Sequence, residues 1–132
     1  MKSYRILDSH VHYALPIRRG ALHETLRSAG VDMANLVTVP DRAHISSVPD
    51  ALAYKHAYPG ETYAFTSLDV SEYMRHPKAV GRRMKAFVRR MLRAGCDGVK
   101  IIEGKPDMRR MLPVPDFDDP VWEPFFAWAE RG

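Results

Sequence analysis

Gly30-Val31-Asp32, followed closely by Asn35-Leu36-Val37-Thr38-Val39, is the stretch that decides how this chain must be built. Before it, Leu22, Leu26 and Ala29 recur on one side of a helix predicted over Ala21 to Ala29, and Gly30 stops that helix. After it, a short apolar run with two valines and a threonine reads as a strand. The same succession of helix, three-residue connection and strand returns twice. Pro59-Gly60-Glu61 leads into Tyr63-Ala64-Phe65-Thr66-Ser67-Leu68, and Gly95-Cys96-Asp97 leads into Gly98-Val99-Lys100-Ile101-Ile102. A first strand, Tyr4-Arg5-Ile6-Leu7, precedes them all. Strand alternating with helix four times over implies parallel strands joined by helical crossovers, which makes the class α/β.

The remaining elements fill in around this frame. Asp50 is a predicted N-cap for a helix through Ala51, Leu52 and Tyr54 that ends at Pro59-Gly60. A basic helix ends at Gly95, and a last helix contains Trp122, Phe125, Phe126 and Trp128, which read as packing residues. No repeat, low-complexity segment or linker divides residues 1–132, so a single domain is expected. Connections from helix to strand are short, whereas those from strand to helix are long. The longest runs from Glu103 to Asp119. In βα barrels and open βα sheets the loops at the carboxyl ends of the strands carry function.

Composition narrows the classes. The 132 residues are 45% hydrophobic and 27% charged, values of an ordinary globular chain. One cysteine, Cys96, cannot close an internal disulfide, and the charged start and lack of any long apolar run argue against secretion and membrane insertion. A cytoplasmic location is the resulting expectation. The net charge of +4 is concentrated in Arg75, Lys78, Arg82, Arg83, Lys85, Arg89, Arg90 and Arg93, a stretch without an acid. Val80, Met84, Phe87, Val88, Met91 and Leu92 recur at helical spacing through it, so the cations are read as the solvated side of an amphipathic helix, with nucleic acid not the expected partner.

Chemistry is concentrated in Asp8-Ser9-His10-Val11-His12. If the strand continues, the side chains at 8, 10 and 12 point the same way, and two imidazoles so placed can share one metal ion while a carboxylate joins or orients them. Alternatively they are ordinary polar residues of a strand-end loop. Asp8 is equally open to a structural ion pair with Lys100. His23 and His56 fall in helices and read as structural or exposed; His44 and His76 fall in loops on the presumed ligand-binding side.

A strand closing in Asp-Ser-His-Val-His resembles the opening of the amidohydrolase superfamily, particularly its amidohydrolase-related branch. Gly95-Cys96-Asp97-Gly98-Val99-Lys100-Ile101 looks like that branch's fourth strand, and Asp119-Pro120-Val121-Trp122-Glu123-Pro124-Phe125-Phe126-Ala127-Trp128-Ala129-Glu130 looks like the helix before strand five. The resemblance implies a parallel (βα)4 half of a TIM-type (β/α)8 barrel and metal-assisted hydrolysis of a small-molecule substrate. It makes His10 and His12 first-strand ligands of a divalent metal, zinc by expectation. Lys100 becomes a candidate for proton transfer or anion binding, and Glu103 and Lys105 become candidates for substrate binding, with plain solvated loop charge as their alternative. The family's further ligands would lie past Gly132, so the resemblance implies an amino-terminal portion whose activity needs the other half, supplied by a longer chain, a partner half-barrel or a homo-oligomer. Unpaired edges on strands one and four, and an uncovered inner face, would then favour self-association. Two readings stand beside it: a PHP-type phosphoesterase, which also opens with strand-end His-x-His, and a noncatalytic basic module binding nucleic acid or an acidic partner.

Overall fold

Each of the three helix-to-strand junctions turns on a glycine in the left-handed region, Gly30 at φ 76°, Gly60 at φ 77° and Gly95 at φ 113°. Side chains with a Cβ pay for that conformation, and these glycines let each helix stop and reverse into a strand within a few residues. The computed structural model describes residues 4–13, 18–39 and 46–131. Within them the strands are β1 (Leu7–His12), β2 (Met33–Val37), β3 (Thr62–Ser67) and β4 (Gly98–Lys100). All pairings are parallel and the spatial order is β1-β2-β3-β4, so β1 and β4 form the edges. The helices are α1 (Arg19–Ser28), α2 (Val48–Ala57), α3 (Ser71–Arg75), α4 (Val80–Ala94), α5 (Pro106–Met111) and α6 (Glu123–Ala129). The chain is thus α/β, a four-stranded parallel sheet alternating with helices.

Several element boundaries differ from the sequence reading, each for a local reason. β1 runs on through both histidines, while β2 begins and ends two residues early and β4 stops at Lys100. α2 starts before Asp50, which lies in the first turn; Pro49 near the start sets φ for the helix, and Ser47 occupies the cap position. The basic helix is preceded by a separate α3, because Pro77 disfavours helical backbone at His76, which sits at φ −140° and ψ 53°. The long segment from Glu103 to Asp119 is not all loop. Pro106 opens α5, with Asp107 in its first turn and Arg109 and Arg110 in its last, where each charge complements the helix dipole.

Contacts group the chain into two compact units, Met1–Ser67 with Gly95–Lys100, and Leu68–Ala94 with Ile101–Gly132. In the first, the sheet unit, one face of the sheet carries a helix-packed core. Ala34, Leu36 and Ala64 pack with Ala51 and Tyr54 of α2 and with Tyr13, while Leu22, Leu26 and Val11 close the periphery. Two aspartates lock this unit through the backbone. Asp32 accepts the Ile6 N–H at 2.8 Å, and Asp97 accepts the Ala64 N–H at 2.8 Å while holding the Lys55 ammonium at 2.7 Å. Both stand at the end of a Gly-x-Asp connection, so the same short motif turns the chain and then fastens it to a neighbouring strand or its approach. Cys96 is buried beside Asp97, and burial pushes its thiol above the ordinary range, which makes it a structural rather than a reactive cysteine.

The second, helical unit is centred on Trp122, 1% exposed, with Phe125, Phe126, Phe117 and Tyr73 around it at ring-centroid distances of 5.5–6.1 Å. Val80, Met84 and Val88 give α4 its buried side. Gly81 permits the closest approach, since a Cβ there would lie 2.1 Å from the Val121 carbonyl oxygen. Among the described residues no helix is long and apolar enough to cross a membrane.

A candidate metal centre at the end of the first strand

Register across the sheet assigns each residue of β1 to a face. Leu7 lies opposite Met33 and Asp8 opposite Ala34, but Val11 lies opposite Leu36 and His12 opposite Val37. Three steps along β1 therefore match two along β2, and Ser9 and His10 together oppose Asn35. This is a β-bulge, which reverses the alternation of side chains beyond it. Ala34 and Leu36 point into the helix-covered core, so Asp8 and Val11 belong to that side, whereas His10 and His12 belong to the other. The expectation that Asp8 shares a side with both histidines is corrected by this inserted residue.

Two polar side chains hold the bulge. The Asp8 carboxylate accepts the His10 backbone N–H at 3.1 Å, and the Asn35 amide donates to the Ser9 carbonyl at 3.2 Å. Asn35 Oδ1 is itself buried and has no hydrogen-bond partner among the described residues. Asp8 makes no ion pair with Lys100 among the described residues; its carboxylate is engaged by the backbone of its own strand. Sequence reasoning passed over Asn35, although an amide in the middle of the apolar run Met33-Ala34-Asn35-Leu36-Val37 was the signal available.

On that face the two imidazoles converge. His10 Nε2 and His12 Nε2 lie 2.9 Å apart, with ring centroids 4.9 Å apart and planes inclined by 23°, and both residues are exposed. At that separation one ring donates a hydrogen bond to the other. The same two lone-pair positions fit half of a metal shell. Zinc–nitrogen bonds of about 2.0–2.1 Å at a tetrahedral angle put two nitrogens roughly 3.3 Å apart, so a small opening of the exposed rings would admit an ion. Among the described residues no group of three or more His, Cys, Asp or Glu side chains is placed to hold a metal ion. Water, substrate or residues beyond those described would complete the shell.

The other candidates are distributed between the units. Lys100 is half-buried at the end of β4 opposite Ser67, which follows Phe65 on the same sheet face as His12 and Val37. Glu103 and Lys105 belong to the helical unit. Lys105 is exposed at the start of α5, where its carbonyl accepts the Arg109 N–H. Glu103 is not a solvated loop charge, because it is 0% exposed. One of its oxygens accepts the Ile102 N–H at 2.8 Å; among the described residues the other, Oε1, and the Tyr73 hydroxyl are buried without completing a hydrogen bond. Burial pushes the Glu103 carboxyl above the usual range, and burial followed by the nearby Glu103 charge pushes the Tyr73 phenol up.

Of the other described histidines, His23 and His76 have ring or carboxylate neighbours. His23 stacks on Tyr58 with centroids 3.8 Å apart and planes 2° from parallel, and its Nδ1 is 3.9 Å from Glu61. His56 lies in α2, and His76 ends α3 with Nε2 3.9 Å from Glu72. His44 lies outside the described residues. No protein-family model, curated protein or solved structure matches this chain.

Proposed function

We propose that this chain is the amino-terminal (βα)4 portion of a TIM-type barrel in a metal-dependent, amidohydrolase-like hydrolase, with His10 and His12 supplying the first two metal ligands. The observation that carries this reading is the 2.9 Å approach of two exposed imidazole nitrogens at the carboxyl end of a parallel strand, on the face opposite the helix-covered core. A bound divalent cation such as zinc would supply Lewis acidity and a more acidic water for attack on a small polar substrate. The chain's own residues do the positioning: the bulge sets His10 and His12 on the face opposite Asp8, and Lys100 offers a cation on the same sheet face for an anionic group. With two protein ligands among the described residues, the isolated chain is expected to bind metal weakly and turn over little or no substrate, because a zinc enzyme generally needs about three protein ligands. Further βα units, in a longer chain or a partner, would bring the rest and pair the edges of β1 and β4.

The test is a Zn²⁺ titration of the whole chain followed through the imidazole nitrogen signals in NMR. The expected result is that His10 and His12 respond together at the lowest zinc concentrations and that either His10→Ala or His12→Ala removes the response. A titration in which His23, His56 or His76 responds first, or in which neither substitution matters, overturns the reading.

A further inference from the structure

The exposed side of α4 carries a line of cations with no acid among the described residues in ion-pair contact with it. At about 100° per residue, Arg82, Arg89 and Arg93 fall within roughly 40° of one another, and Lys85 and Arg90 flank them. Their centre is opposite the buried side formed by Val80, Gly81, Met84 and Val88. Arg82, Arg89, Arg90 and Arg93 are exposed and Lys85 is half-buried. Of the α4 cations only Arg83 has an ion-pair partner among the described residues, Glu72 at 2.8 Å. Arg90 instead lies over the Phe87 ring at 5.4 Å.

Helix stability does not account for this arrangement. The first turn of α4 holds no acid and includes Arg82 and Arg83, which oppose the helix dipole at that end. Arg82–Lys85, Lys85–Arg89, Arg89–Arg93 and Arg90–Arg93 are like-charge neighbours three or four residues apart, each unfavourable in an isolated helix. A face needed only for solubility gains from mixed signs, and this one has a single sign along about 16 Å of axis.

We infer that this face of α4 binds the phosphate backbone of a nucleic acid. Five cations, four of them arginines able to fork onto phosphate oxygens, match a uniform polyanion. A protein partner is the poorer fit, because stable protein interfaces centre on clustered apolar or aromatic anchors, whereas the large apolar side chain exposed along this face is Leu92, at its edge beside Lys85. A lipid surface is also the poorer fit, since the apolar side of α4 is already buried in its own unit and cannot enter a membrane interface. The inference is independent of the metal reading, which rests on β1.

The experiment measures binding of the whole chain to a short fluorescent duplex DNA and to a single-stranded RNA across KCl from about 50 to 200 mM. The expected logarithmic salt slope is about −4.5 on the duplex and about −3.5 on the single strand, from about −0.9 and about −0.7 per phosphate neutralised by the five cations, with little dependence on sequence. Combining Arg82→Gln, Arg89→Gln and Arg93→Gln should shrink the duplex slope by roughly 3 while leaving the circular-dichroism melt as cooperative as before. The corresponding triple Arg→Lys variant should keep the slope. Absence of binding near 50 mM salt overturns the inference. So do binding that the glutamine variant retains unchanged, loss of the slope in the lysine variant, and preferential capture by phosphatidylserine vesicles that nucleic acid does not displace.

Discussion

The rim of the sheet unit and the interior of the helical unit use ionisable side chains in opposite ways. At the end of β1, His10 and His12 face solvent and meet each other, held by a bulge that adds no apolar burial of its own. In the helical unit, Glu72 and Glu103 are drawn inside. Glu72 is gripped by two nitrogens of Arg83 at 2.8 and 3.0 Å, and Glu103 is enclosed with an incomplete set of partners. The contrast separates groups the fold leaves at the solvent from groups it must satisfy by itself. An exposed imidazole keeps its hydration; a buried carboxylate must be paired or protonated.

The largest effect should come from the scaffold of the helical unit. Trp122→Ala removes the ring around which Tyr73, Phe117, Phe125 and Phe126 gather, and should cost on the order of 3–5 kcal/mol in urea unfolding. A loss below about 1 kcal/mol would show that this aromatic cluster is not the centre of the unit.

Next comes the hold on the histidines. Asn35→Ala removes the amide bonded to the Ser9 carbonyl and should cost about 1 kcal/mol of stability. It should also weaken the shared Zn²⁺ response of His10 and His12 without abolishing it, whereas His10→Ala abolishes it. A zinc response unchanged in Asn35→Ala would mean that β1 keeps its bulge without this contact.

The smallest effect distinguishes the two carboxylates. Glu103 has a raised folded-state value, so its contribution is fully present below the unfolded carboxylate range and is lost as pH rises through the folded value. Glu103→Gln should therefore stabilise the chain at pH near 8, by an amount on the order of 1 kcal/mol, and lose that advantage in acid. Glu72 runs the other way. The hydrogen bond from Arg83 lowers it first of all, so its contribution is present above the unfolded value and disappears as pH falls through the folded one. Glu72→Gln should destabilise at neutral pH, with the gap closing in acid. Parallel pH dependences for the two variants, read from urea midpoints, would erase the distinction.

Much of the architecture was legible because it depends on nearest neighbours along the chain. Gly30, Gly60 and Gly95 mark turns that need positive φ, and apolar spacing of 3.6 against strand-like runs separates helix from strand. His-x-His was equally legible as a pair, since residues two apart on a strand share a side whatever the surroundings. Asp8 was misplaced because one inserted residue, invisible in a two-residue period, reversed the sides between it and His12. Of the two readings open for Glu103, solvated loop charge fails because its burial comes from elements distant in sequence, with Tyr73 of α3 beside it.

The sequence alone therefore determined the alternation of strands and helices, the places where each helix stops, and the identity of the two imidazoles that could act together. Only the tertiary structure decided which face those imidazoles occupy, that Asn35 and Asp8 hold them there, and which acids are hidden. The physical reason is the range of the forces involved. Backbone propensity and side-chain periodicity act within a few residues, whereas register, burial and hydrogen-bond satisfaction depend on neighbours that only folding brings together.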